Sequence, residues 1–198
     1  MDDTASEVIL TIRGSLVGLG PIRRDLSETY QRWLNDLRVT RTLALPPAPM
    51  TLAAETAWVD ATSVGSDPHF TVYDLATMRP VGTTGLNGVN HFDGAAEFGI
   101  MIGDPDAWGR GFGTETTAMM ISYAFDALGL HHLRLDVYAH NERGIRAYER
   151  AGFRRVGLLR QAKRIGRERV DVLVMDVLAS EIGPGPLHEV VRPAPQTR

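Results

Sequence analysis

The chain contains no cysteine. That absence removes thiolate nucleophiles, disulfide frameworks and Cys-ligated zinc, and it fits a reducing compartment. Basic excess is also missing. With 21 Lys and Arg against 24 Asp and Glu the net charge is −3, so no global field draws the chain to nucleic acid or to an anionic membrane. No apolar run is long enough to span a bilayer, because Val8–Leu19 is interrupted by Arg13. The sequence begins Met1-Asp2-Asp3, acidic where a secretory leader is basic. No grouping of His, Asp and Glu has the spacing of a metal site, so no metal is expected. The expected location is cytoplasmic, with no membrane and no direct nucleic-acid partner.

What is present is 198 residues of ordinary globular composition, 43% hydrophobic and 23% charged. That suits one domain with a real core. We place the domain over residues 1–181 and a Pro/Gly-rich loose tail over 182–198. Two short strands are expected over 7–13 and 16–22. Asp25, with Glu28 three residues on, has the form of a capping box opening a helix with Leu26, Tyr30, Trp33, Leu34 and Leu37 on one face. Leu45-Pro46-Pro47-Ala48-Pro49 reads as a stiff connector, and Thr51 caps a helix over 52–63. Three strands follow over 70–75, 81–89 and 95–102, joined by short turns and therefore antiparallel. Gly99, inside the third, suggests a bulge or a close backbone approach. A helix over 114–128, a strand over 133–138, a helix over 142–151 capped by Asn141 and stopped by Gly152, and strands over 153–160 and 169–178 complete the order. This is a mixed α+β sheet of about seven strands with about four helices. The helix after the third meander strand makes the next strand parallel to it, and a slot opens if the two splay apart.

The chain is organised around Ala107-Trp108-Gly109-Arg110-Gly111-Phe112-Gly113-Thr114-Glu115. Alternating glycines running into a helix expose backbone N–H groups where the helix dipole is positive, which suits phosphate or pyrophosphate. Gly113 is followed by Thr114-Glu115, so this is not a Walker loop. A Rossmann fingerprint beginning at Gly109 fails at its third glycine, where Thr114 stands.

The run Trp108–Glu115 resembles the coenzyme-A pyrophosphate loop of GNAT-fold acetyltransferases. Asn141-Glu142-Arg143-Gly144-Ile145-Arg146-Ala147-Tyr148-Glu149-Arg150-Ala151-Gly152-Phe153 resembles that family's Asn…Ile/Ala-x-x-Tyr-Glu-Lys-x-Gly-Phe segment. The likeness covers about residues 70–178. Trp108 stands where the generic loop has Gln or Arg, a feature similar to the RimJ/RimL-like branch, which acetylates ribosomal-protein N-termini and also contains antibiotic-modifying members.

The resemblance implies a GNAT fold, acetyl-CoA as cosubstrate and acetyl transfer to an amine. Without cysteine, direct attack is simpler than an acyl-enzyme route. Tyr148 matches the tyrosine facing the coenzyme sulfur and is assigned as general acid. Glu97 is assigned as the base, acting through water, or else as a structural carboxylate; His140 and His91 are weaker rivals. Backbone groups of Ile100, Met101 and Ile102 would meet the thioester arm. Gly109, Arg110, Gly111, Phe112, Gly113 and Thr114 would hold the pyrophosphate, with Arg110 either paired to a phosphate or solvated. Asn141 serves as cap, as a pantetheine contact, or both. Arg143, with Arg146, is a candidate for the 3′-phosphate. The acceptor is left as a peptide or protein N-terminal amine, or a small molecule such as an aminoglycoside-type antibiotic or a polyamine. A cationic acceptor would need Asp104, Asp106, Asp136 and Glu97 to converge. A non-catalytic acyl-CoA sensor is the reading from another class. A homodimer is expected from family habit alone. The basic residues of the last hairpin, Arg154 to Arg169, read as a charged edge or as an attractor for an acidic substrate.

Overall fold

The structure, a computed structural model, describes residues 8–45 and 48–191. The acidic start, residue 7 of the first expected strand, Pro46-Pro47 of the connector and residues 192–198 of the expected tail lie outside them. Eight strands form one sheet: β1 (Ile12–Arg13), β2 (Val17–Pro21), β3 (His69–Asp74), β4 (Arg79–Asn90), β5 (Ala95–Ile102), β6 (His132–Tyr138), β7 (Arg154–Ile165) and β8 (Glu168–Leu178), in the order β1-β2-β3-β4-β5-β6-β8-β7. The helices are α1 (Ser27–Leu34), α2 (Leu37–Thr40), α3 (Leu52–Val64), α4 (Phe112–Ser122), α5 (Glu142–Ala151) and α6 (His188–Val191).

Every ladder is antiparallel except β5–β6. That parallel pair is short. It holds Ala95↔His132, Ala96↔Leu133 and Glu97↔Arg134, and then the strands part. Each stays paired on its other edge. β5 follows β4 to Gly82↔Ile102, and β6 follows β8 over its whole length. A wedge therefore opens beyond Glu97, where the sequence placed a slot.

Alternation along β5 divides the core. Ala96 and Phe98 are buried in the main cluster with Phe112, Met120, Leu135 and Ile145 from α4, β6 and α5. On the other face Met101 packs against Ile22, Tyr30, Trp33 and Val59. Trp33 lies so close over Gly103 that a Cβ there would come within 2.2 Å of its ring.

Several local expectations are corrected. The capping box does not form: Asp25 accepts from Arg23 Nε at 2.9 Å, and α1 starts at Ser27 without a side-chain cap. Leu37 does not extend the α1 face, because α1 ends at Leu34 and Asp36 caps α2 by accepting from Arg38 N–H. Gly99 carries no bulge. The β4–β5 register is unbroken from Glu97 to Ile102, and the irregularity falls between Asn87 and Asn90, where Gly88 has φ 59°. The helix expected over 114–128 starts at Phe112, and its end widens into a π turn over Tyr123–Ala127. The stretch expected as a loose tail is tied down as far as it is described. Leu187 N–H donates to Ser122 Oγ, and Gly185 N–H donates to Asp126. No helix among the described residues is long and apolar enough to cross a membrane.

Candidate active site

The glycine loop follows from its backbone. Gly109 and Gly111 sit at φ 76° and 88°, in the left-handed region that side chains disfavour. Gly111 is the N-cap of α4 and supplies no capping side chain. Among the described residues, none of the backbone N–H groups from Gly109 through Thr114 donates to a protein acceptor; the next, Glu115, donates to Gly111 O at 3.0 Å. A run of unpaired amides at a helix start is an anion seat.

The loop is bolted down on both sides. Trp108 Nε1 donates to Ile102 O at 2.8 Å. That carbonyl belongs to the edge of β5 that faces the wedge. Gly103 N–H donates to Val81 O, and the two-residue alternation of the ladder then turns Met101 and Gly99 toward β4, leaving the backbone groups of Phe98, Ile100 and Ile102 on the open side. On the other flank the Glu115 carboxylate accepts from Ser15, Leu16 and Val17 N–H at 2.6, 2.8 and 2.9 Å. Glu115 thus clamps the β1–β2 turn to the start of α4, a role the sequence pattern did not reveal.

A cavity of about 200 Å³ runs from this loop along β5 to α5. Ile100, Met101 and Ile102 line one wall, Gly109, Gly111, Phe112, Gly113 and Thr114 its end, and Asn141, Arg143 and Tyr148 the other wall. These are the expected coenzyme residues without Arg110, although the Met101 backbone, expected to meet the thioester arm, is turned to β4. Arg110 does not line the cavity. Its guanidinium donates to the buried Asp74 carboxylate at 3.1 Å and stacks over the Phe112 ring. Its side chain stays half exposed, as the solvated alternative expects, while its charge is shared with a buried carboxylate 36 residues away in sequence.

On α5, Asn141 Oδ1 accepts from Gly144 N–H at 3.1 Å, so the residue is a cap while its amide also faces the cavity. Arg143 lies over the Trp108 ring at 4.1 Å. Burial, aided by repulsion from Arg41, lowers its pKa from the ordinary guanidinium value. Arg146 is paired with Glu142 one turn away. Tyr148 packs edge-on against Phe98 and Phe153, and burial pushes its phenol up to about 12. Its hydroxyl makes no hydrogen bond to the described residues, and the residue lines the cavity. It is a protonated donor aimed at nothing in the protein.

Glu97 is not in this cavity. It sits at the vertex where β5 and β6 part, half exposed, with Arg134 Nη2 donating to it at 3.0 Å. His91 lies in the exposed β4–β5 turn, and His140 stacks on Tyr138; neither lines the cavity. The four acids that a cationic acceptor would require do not gather in one cavity, although Glu97 and Asp136 share Arg134. Asp104 caps a turn by accepting from Asp106 N–H, Asp136 lies 3.8 Å from Arg134, and none of the four lines either of the two cavities described here. The end of α2 and the segment after it were missed by sequence reasoning: Val39, Thr42 and Leu43 also line the cavity. Nothing local in that stretch signals it.

Residues 17–154 match the family described as Acetyltransferase (GNAT) domain. The uncharacterized N-acetyltransferase p20 of Bacillus licheniformis is 29% identical over 122 residues, 62% of this chain and 68% of that protein. The spermidine N(1)-acetyltransferase of Vibrio cholerae is 31% identical over 116 residues, 59% of this chain and 66% of that protein. These matches span about two thirds of each curated relative. Among solved structures, spermidine N-acetyltransferase from Vibrio cholerae in complex with CoA and spermine superposes with a TM-score of 0.77 at 25% identity, covering 85% of this chain and 98% of that one.

Proposed function

The chain belongs to the GNAT family of acetyl-CoA-dependent N-acetyltransferases, and from that premise we propose that it moves an acetyl group to a primary amine by direct attack, with Tyr148 as the acid. The observation that carries this reading is the continuity of one cavity, from unpaired loop amides to an unpartnered phenol. The amides suit a diphosphate, the free edge of Ile100 and Ile102 suits an amide-bearing arm, and the phenol suits a sulfur.

The chemistry divides as follows. The amine nitrogen attacks the thioester carbonyl carbon, the C–S bond breaks, and the amine gives up a proton. A free alkyl amine has a pKa near ~10, so only about one molecule in a thousand is neutral at pH 7. Glu97, at the vertex, takes that proton through water. The phenol meets the departing thiolate. A hydroxyl whose pKa is about 12 stays protonated at every working pH. It therefore acts first as a hydrogen-bond donor that strengthens as negative charge gathers on sulfur.

The Trp108–Glu115 pattern supports the RimJ/RimL-like branch and its peptide acceptors, whereas the relative named as a spermidine acetyltransferase supports a small-molecule amine. The cavities hold no cluster of acids, which argues against aminoglycoside-type and polyamine acceptors. The sensor reading requires chemistry to have been lost, and a poised Tyr148 speaks against it. Thiol release from acetyl-CoA with a panel of amines tests the proposal. Amine-dependent release is expected; coenzyme binding with no release on any amine would leave the sensor.

A further inference from the structure

A second cavity, of about 700 Å³, lies between the α1–α2 corner and the tip of the β7–β8 hairpin. Leu43 lines both this cavity and the one at the glycine loop. Tyr138, another wall residue, donates its hydroxyl to Leu43 O at 3.3 Å, so Leu43 and Tyr138 form the partition between the two. A thioester delivered past Tyr148 and Leu43 would face this chamber.

Its lining has an unusual charge pattern. Leu37, Met50 and Ile165 are among an apolar majority, and no Asp or Glu is present. Among the described residues that line it, the charged side chains are Arg41 and Arg164. Neither has an acid within ion-pair distance among the described residues. Arg164 moreover stands directly opposite Arg169 in the hairpin ladder, where like charges repel. Arg41 is close enough to Arg143 to lower its pKa. Asp36, an acid on this corner, is already held by Arg38. An apolar chamber with two uncompensated guanidinium groups repels a polycation and suits a carboxylate, which a planar guanidinium grips in two places.

Resting on the acetyl-transfer reading, we propose that this chamber takes the acceptor, and that the acceptor is an apolar amine carrying a carboxylate, as a hydrophobic α-amino acid does. The apolar body lies against Leu37, Met50 and Ile165, the carboxylate is held by Arg41 and Arg164, and the amine is left toward the partition.

The test compares acceptors that differ by one charge. Phenylalanine, phenylalaninamide, phenethylamine and spermidine are offered with acetyl-CoA, and kcat/KM is read from thiol release. Phenylalanine is expected to exceed phenylalaninamide and phenethylamine by about tenfold or more for each arginine engaged. Arg41→Gln with Arg164→Gln should collapse that preference while the Kd for CoA stays within about twofold. Both side chains are exposed, so the variant should fold. Spermidine turning over faster than phenylalanine, equal rates for acid and amide, or a preference surviving the double substitution would overturn the proposal. A binding arm separates it from the reading beneath it. 3-Phenylpropionate, which lacks the amine, is titrated into the CoA-loaded protein. Saturable binding that the double variant loses, with no acetyl transfer to any amine, sinks the transferase and leaves the chamber standing. Transfer to other amines with no 3-phenylpropionate binding sinks the chamber alone.

Discussion

Replacing Gly111 by valine separates the stability of the fold from its grip on the coenzyme. Gly111 has φ 88°, and a Cβ there would lie 3.3 Å from Leu16 Cδ1. Holding an L-residue in that region costs about 1–2 kcal/mol, and more for a β-branched one. A domain with about 5–15 kcal/mol of stability survives that loss. The loop relieves the strain by swinging Gly111 to negative φ, which rotates the peptide planes on either side and withdraws the amides of Gly111 and Phe112. A hydrogen bond to a charged group contributes about 1.5–3 kcal/mol, so two lost bonds predict a Kd for CoA weaker by roughly 10²–10⁴-fold. Calorimetric titration of CoA reads the affinity, and thermal unfolding reads the fold. Gly129→Val is the control. It has φ 66°, nothing within 4 Å of its Cβ position, and no place in the cavity, so it should lower Tm without altering CoA binding. A folded Gly111→Val protein that binds CoA as tightly as the parent would refute the loop assignment.

Tyr148→Phe should cut kcat by about 10²–10⁴-fold with little change in CoA affinity, since a neutral phenol matters most once charge gathers on sulfur; the parent should show no alkaline decline from this group between pH 6 and 10, because burial pushes the phenol up to about 12. Glu97→Gln should displace the pH–rate profile if Glu97 relays the amine proton, and an unmoved profile assigns it to the strand vertex with Arg134. Glu55→Gln should raise Tm at neutral pH. Glu55 is buried in α3, and burial alone raises its pKa above the unfolded value, so its stabilising contribution is full in acid and is lost as pH climbs through the folded pKa. The gain from glutamine should therefore shrink toward pH 4, and a variant less stable than the parent at pH 7 would contradict this. Glu115→Ala removes the acceptor of three backbone N–H groups on a partly exposed turn, so a loss of about 2 kcal/mol and a Tm fall of roughly 4–8 °C are expected by calorimetry.

What could be read from the sequence was chemistry compressed into short spans. Asn141 at its cap and Gly152 at its stop, φ 117°, fix α5 within a dozen residues, and Tyr148 follows from the same helix face as Ile145. The glycine loop is equally local. What could not be read depends on distant partners. Arg110 in a phosphate loop invites a phosphate, yet Asp74 from β3 takes it. Gly99 invites a bulge, yet the β4–β5 ladder runs straight through it and the extra residues fall at Gly88 and Val89. Asp25 and Glu28 have capping-box spacing, but the Asp25 carboxylate is taken by Arg23 and α1 starts without a side-chain cap. The α2–α3 connection carries no motif, and only the folded chain shows Leu43 dividing two cavities.

The wedge itself is explained by the partners on the outer edges of β5 and β6. β5 has a neighbour on each side, but its antiparallel bond row with β4 continues to Ile102 while the parallel row with β6 stops at Glu97. β6 keeps all seven of its residues on β8. Because β4 fixes the course of β5 and β8 fixes that of β6, closing the gap would require bending one of two completed antiparallel ladders to gain a weaker parallel row. Trp108 removes the remaining incentive by donating to Ile102 O, a carbonyl on the open edge that a closed pair would otherwise satisfy. The residues that hold the slot open therefore lie largely outside it, on β4, β8 and the loop. Substitutions that weaken the β6–β8 ladder should then disturb coenzyme binding although they touch no part of the cavity.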